Sequence, residues 1–342
     1  MSFKTLHQVP TPTEIKQLLP LPAHLAQIKA ERDRVIMDIF TGKDSRFVLI
    51  VGPCSAHDPD AVLAYAEKLA WLQEKVAEKI MLIPRVYTNK PRTTGEGYKG
   101  MMHQPNPNEI PNITEGIKAI RTMQIRVIEQ THLSSADEML YPDNMGYMDD
   151  LLSYHAVGAR SVENQKHRLI ASGIDVPVGM KNPTSGDIGV MLNSIKAAQL
   201  SHVCMHEGKE VQTSGNPVAH AILRGAVNQY GRNIPNYHYE DLRFVAKKYA
   251  ERELANPAVI VDCNHANSIK QFKEQPRIAL DVLRSMRYSD AIRGLIKGLM
   301  IESYLVEGSQ PVGGCTFGQS ITDACLGWED TETLILEIAD AL

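Results

Sequence analysis

Short apolar or β-branched runs alternate with longer amphipathic stretches along most of this chain, the rhythm of βαβ units that build a parallel sheet. The runs FVLIVG (47–52), KIMLIPRVY (79–87), HAVGAR (155–160), PVGMK (177–181), SHVCMH (201–206), AVIVDCN (258–264) and IKGLMIES (296–303) predict seven strands. An eighth belongs between residues 120 and 140. There IRVIE is strand-like in composition but sits inside the helix-spaced ITEGIKAIRTMQIRVIEQ, and the weaker LSSADE is the alternative. After SHVCMH, the stretch VQTSGNPVAHAILRG carries a Gly-Asn-Pro turn between β-compatible runs and predicts a β-hairpin inserted after strand 6. Residues 1–45 form an N-terminal extension: a Pro-punctuated lead, then AHLAQIKAERDRVIMDIFTG, where Leu25, Ile28, Val35 and Ile39 recur at helical spacing. Local pattern leaves a closed barrel and a doubly wound sheet equally open for residues 46–342.

Bulk properties narrow the partners. A length of 342 residues suits one barrel plus extensions, and 43% apolar with 22% charged residues describes a chain able to bury a large core. The net charge of −4, with no basic run, gives no footprint for nucleic acid. Neither a signal-peptide core nor a long apolar span is present, so no membrane partner and a cytoplasmic location are expected. Cys54, Cys204, Cys263, Cys315 and Cys325 are scattered without a CxxC pair, against both a disulfide framework and a zinc finger. The glycine-rich GEGYKG (95–100) lacks the spacing of a P-loop and reads as a loop.

The polar residues cluster where parallel-sheet folds place their chemistry, at the carboxyl ends of strands. Arg85, Lys90, Arg92, Arg160, Lys181 and Arg224 stand at or just beyond strand ends in a chain of negative net charge. Arginine's planar fork and lysine's point charge both bind phosphate or carboxylate, so their convergence implies a ligand with several negative charges. Cys54, His265, Glu302 and Asp323 offer a thiolate, an imidazole and two carboxylates. Such a mixed set suits a divalent Mn, Fe, Co or Zn ion better than Mg or Ca. Spacing alone gives this cluster no more weight than packed core residues would carry.

Taken in order, GPCSAHD (52–58), RVYTNKPRTT (85–94), GARSVENQKHR (158–168), VGMKNPTSG (178–186), ILRG (222–225), HANSIKQF (265–272), ESYLVEG (302–308) and SITDACLGWEDT (320–331) resemble the type I 3-deoxy-7-phosphoheptulonate synthases. The resemblance implies a (β/α)8 TIM barrel with an N-terminal helical extension. It also implies the condensation of phosphoenolpyruvate with erythrose 4-phosphate that opens the shikimate pathway to aromatic amino acids. It carries the metal ligands onto Cys54, His265, Glu302 and Asp323, and phosphoenolpyruvate binding onto Arg85, Lys90, Arg160, Lys181 and Arg224. Arg92 and Thr93 fall toward the aldose phosphate. Lys90 is implied as proton donor to the aldehyde oxygen, and Glu138, 22 residues before Arg160, as the carboxylate that handles the attacking water. A homodimer or homotetramer is expected. The chain departs from the family's pattern at Asp137, where glycine is common, and in YPDNMGYMDD (141–150) and Asp175, which leaves feedback by Phe, Tyr or Trp undecided.

Rival readings remain in view. A 3-deoxy-octulosonate-8-phosphate synthase typically carries a different segment at KPRTT. A catalytically silent paralogue serving as a binding or regulatory subunit would have lost a ligand or clamp residue, and every such position is filled.

Overall fold

A computed structural model describes residues 2–92 and 94–342. Its centre is a sheet of parallel strands: Phe47–Gly52, Ile80–Pro84, Ser135–Glu138, Leu152–Val157, Val178–Lys181, His220–Leu223, Val259–Asp262 and Ile296–Glu302. In chain order these are the first to eighth strands. The first pairs with both the second and the eighth, and the chain beyond the second strand reaches the third through a parallel bridge between Arg85 and Ala136, nearly closing a barrel. Helices lie around it, as expected from the sequence.

Alternation along each strand sorts residues into two shells. Val48, Ile50, Ile83, Ala136, Tyr154, Ile222, Ile260 and Met300 cluster inside, while Leu49, Val51, Leu82, Val178, Leu223, Val261 and Leu299 pack outward among the helices. Two helices precede the barrel, α1 (Pro12–Leu18) and α2 (Ala23–Phe40). Thr11 caps α1 in a capping box with Glu14. The last turns of α2 carry Ile36, Ile39 and Phe40 into the interior cluster, and Arg32 donates to the Leu82 carbonyl at 2.7 Å. The amino-terminal mouth is thereby plugged.

Two sequence expectations meet the structure differently. LSSADE does contain the third strand, and IRVIE lies inside the helix Ile113–Thr131. SHVCMH, however, is not in the barrel: Val203–His206 pairs antiparallel with Lys209–Gln212 as an outer hairpin. The sixth barrel strand is His220–Leu223, all buried, whereas Val203 and Met205 are 64% and 77% exposed. The hairpin therefore precedes the sixth strand. After that strand comes a short antiparallel pair, Ala226–Val227 with Asn233–Ile234.

Candidate active site

The carboxyl-terminal mouth gathers the strand-end residues. Parallel register sets Gly52 beside Glu302, so the turn into Pro53 and Cys54 begins against the acid that ends the eighth strand. Only glycine fits there, because a Cβ at residue 52 would lie 2.4 Å from the Arg85 carbonyl oxygen. The buried Arg85 guanidinium donates to Glu302 Oε1 at 2.9 Å and to the Pro53 carbonyl, and stacks 3.7 Å above the Tyr87 ring. Glu302 Oε2 accepts from Asn264 Nδ2 at 2.6 Å. Burial would raise the Glu302 carboxyl, but Arg85, His265 and Lys90 outweigh it and hold the group ionised.

Cys54 Sγ, a Glu302 oxygen and an Asp323 oxygen lie within 4.8 Å of one another, although Cys54 and Asp323 are 269 residues apart in sequence. This tight trio does not include His265. Its Nε2 stands 3.9 Å from Glu302 Oε1 and its Nδ1 2.8 Å from Asp262 Oδ2. The donor set fits a divalent cation. Three acidic groups converge, and the Lys90 ammonium sits among them, 2.6 Å from Cys54 Sγ and 3.1 Å from Asp323 Oδ2. Burial and the Glu302 charge push the Cys54 thiol up, against the opposing pull of Lys90. Asp323 is held well below the usual carboxylate range: Lys90 and Lys270 outweigh its burial.

Beside this cluster opens a cleft of about 290 Å³. Of the expected residues, Cys54, Arg85, Lys90, Arg92, Glu138, Arg160, Arg224, His265 and Asp323 line it. Among the described residues Arg224 Nη1 is buried without a hydrogen-bond partner, a free donor on a side chain that lines the cleft. Glu138 packs its carboxylate over Gly158, where a Cβ would lie 2.4 Å from Oε1 and push the side chain aside. Lys181 is absent from the lining. It is buried beneath, 3.4 Å from Asp262 Oδ2. Thr93 lies outside the described residues. Glu302, the buried member of the trio, does not line the cleft.

Sequence reading missed Asp262, which ends the seventh strand with no exposed surface. Burial would raise its carboxyl, yet His265, Lys181 and Arg224 together hold it far below the ordinary range. It thus joins a ligand candidate to two anion-binding candidates. The signal was present in VIVD, an apolar strand ending in an acid, but an acid inside a strand is hard to tell from an outward-facing one. Tyr87, Asn89 and Lys270 also line the cleft and were missed. A larger cavity of about 750 Å³ lies elsewhere, between α1 and the outer hairpin. Its wall holds none of the ligand trio and no convergent arginines, so the smaller cleft is the catalytic candidate.

A profile of the DAHP synthetase I family matches residues 20–336. The chain is similar, at 38% identity over 96% of its length and 91% of the relative's, to the Tyr-sensitive phospho-2-dehydro-3-deoxyheptonate aldolase of Salmonella typhimurium. It is 36% identical, over 100% of its length and 97% of the relative's, to the Phe-sensitive enzyme of that name from Escherichia coli. The solved structure of a phospho-2-dehydro-3-deoxyheptonate aldolase from Francisella tularensis superposes with a TM-score of 0.92 at 32% identity, covering 99% of this chain and 98% of the other.

Proposed function

The chain belongs to the DAHP synthetase I family, and from that membership we propose how its own residues carry the family's reaction. It joins phosphoenolpyruvate to erythrose 4-phosphate and water, giving 3-deoxy-D-arabino-heptulosonate 7-phosphate and inorganic phosphate, the first step of the shikimate pathway. One observation carries the residue assignments: a cleft walled by arginines opens directly onto the Cys54, Glu302 and Asp323 donor trio.

Phosphoenolpyruvate brings a phosphate and a carboxylate, for which Arg85, Lys90, Arg160 and Arg224 line the wall and Lys181 adds positive charge from below. Arg92, with Thr93 by resemblance, takes the phosphate of the aldose. This seating places C3 of phosphoenolpyruvate against the aldehyde carbon. A divalent Mn, Fe, Co or Zn ion held by the trio and His265 would supply Lewis acidity toward the aldehyde oxygen.

As the C–C bond forms, the Lys90 ammonium gives the aldehyde oxygen its proton. Burial opposes that charge, but Cys54, Asp323 and Glu302 raise the ammonium above its ordinary range, so Lys90 is charged in the resting site. The positive charge left at C2 is captured by water, which Glu138 orients and deprotonates. The C2–O bond to the phosphoryl group then breaks with its electron pair going to phosphate, and the C2 hydroxyl gives its proton to the departing phosphate, leaving the ketone.

The test strips purified protein with a chelator and follows phosphoenolpyruvate loss and phosphate release, with and without erythrose 4-phosphate and added Mn. Turnover that needs both the aldehyde and the ion supports the reading. Turnover unchanged by stripping would remove the metal from it, and none in folded, metal-replete protein would remove the residue roles.

A further inference from the structure

Asp137 sits next to Glu138 in the third strand, with its carboxylate buried and no role in the reaction described above. It is also the position at which this chain departs from the glycine common in the family it resembles. Alternation turns Ala136 and Glu138 toward the barrel interior, so Ser135 and Asp137 face outward, where Ser135 donates to Gln124 of the surrounding helix. The carboxylate therefore lies behind the cleft wall, under the segment that leaves the second strand.

That segment runs beside the third strand for only a short way. Val86 N donates to the Ala136 carbonyl at 2.9 Å. Two residues later, a continued parallel ladder would send Thr88 N to the Glu138 carbonyl. That carbonyl instead accepts from Leu140 N at 2.9 Å. Asp137 takes over: Oδ1 accepts from Thr88 N at 2.9 Å and from Glu138 N at 2.7 Å, and Oδ2 accepts from the Thr88 hydroxyl. A side chain has replaced the backbone acceptor where the two strands part.

Thr88 is also where both arms of the following loop meet. Its carbonyl accepts from Met102 N at 3.3 Å, and a Cβ at Gly100 would lie 2.4 Å from that same oxygen. Beyond it, Lys90 N donates to the Lys99 carbonyl at 3.0 Å and Arg92 Nε to the Tyr98 carbonyl at 2.8 Å. The loop that presents Lys90 and Arg92 thus hangs on Thr88, and Thr88 on Asp137.

We propose that Asp137 is a positioning residue, its carboxylate anchoring the Thr88 pivot so that Lys90 and Arg92 are aimed into the cleft. The inference rests on the assignment of those two residues to substrate, and it predicts a split between the two substrates. Arg92 serves the aldose phosphate and Lys90 the aldehyde oxygen besides phosphoenolpyruvate, whose other partners Arg160, Lys181 and Arg224 come from other strands and are untouched.

Asp137→Ala should lower kcat about tenfold and raise the KM for erythrose 4-phosphate severalfold, on the order expected for a displaced catalytic group, with a smaller rise in the KM for phosphoenolpyruvate, which keeps its partners on other strands. Asp137→Asn keeps an oxygen for Thr88 N and should recover most of the loss. Thr88→Val, which removes only the hydroxyl, should show a smaller effect in the same direction and serves if the alanine variant does not fold. Hydrogen exchange at Thr88, Lys90 and Met102 should quicken in Asp137→Ala without change in the fourth and fifth strands. Equal shifts in both KM values, an asparagine variant as impaired as the alanine one, or unaltered exchange at those amides would overturn the proposal. Because exchange needs no turnover, an inactive wild-type protein would refute the assigned reaction while still leaving the anchor measurable.

Discussion

At its carboxyl-terminal mouth the barrel buries Arg85, Glu302, Lys181 and Asp262, whereas at its amino-terminal mouth the same strands close over Ile36, Ile39 and Phe40 from α2. The upper charges are bracketed by partners: Glu302 by Arg85 and Asn264, Asp262 by Lys181 and His265. A buried ion pair contributes little net stability, because desolvation offsets its attraction, yet losing one partner is costly. Packed apolar side chains behave in the opposite way, stabilising in proportion to the area they bury. Stability at one end and chemistry at the other are therefore separable.

Removing the Asp262 charge should have the largest effect. Asp262→Asn leaves the buried Lys181 without its charge partner and the half-buried Arg224 and His265 beside a neutral amide, which is expected to cost about 3–5 kcal/mol of stability. The carboxylate also lies 2.8 Å from His265 Nδ1, where it can hold the imidazole in place. Loss of such a partner typically weakens metal affinity or activity by about 10–100-fold. Competition against a chromophoric chelator, read beside kcat/KM, checks both. Unchanged metal affinity and unchanged KM for phosphoenolpyruvate would mean that Asp262 is only filler.

Phe40→Ala attacks the other mouth. The ring is 1% exposed and lies 4.3 Å, centroid to centroid, from His220, so truncation should cost about 3–5 kcal/mol. Steady-state parameters measured well below the melting temperature should stay within about twofold. A comparable fall in kcat would show that the plug also shapes the cleft.

The two mouths also differ in how far they could be read from sequence. FVLIVG and AVIVDCN announce strands because buried parallel strands are continuously apolar, and the catalytic candidates that come after them stand at strand ends. The sixth strand was misplaced because VCMH looks as β-compatible as HAIL, and composition does not record that Val203 and Met205 face solvent. SADE, with two acids in four residues, was legible only through the spacing of Glu138 from Arg160. The ligand trio needed the fold, since nothing local joins Cys54 to Asp323. The descent of Lys181 below the cleft floor onto Asp262 is likewise a matter of register that a strand's sequence does not specify. Helical spacing in α2 was plain, but not that its end closes the barrel.

A pH-dependent effect tests where the charged mouth ends. Burial raises the Asp137 carboxyl to about 7, the hydrogen bonds from Thr88 and Glu138 offsetting only part of the cost. Its folded-state value therefore lies above the ordinary carboxylate value near 4 that it takes in the unfolded chain. The folded protein holds the proton more tightly, so this group's contribution is fully present below about pH 4 and is lost as pH rises through about 7, with a slope of at most about 1.4 kcal/mol per pH unit. Asp137→Asn abolishes that slope while keeping an acceptor for Thr88. In urea titrations the variant should gain stability relative to wild type steadily from pH 5 to pH 7 and level off above pH 8. A flat difference would mean that the Thr88 and Glu138 donors keep Asp137 ionised throughout, which would extend the charge-paired region of the upper mouth outward to the third strand.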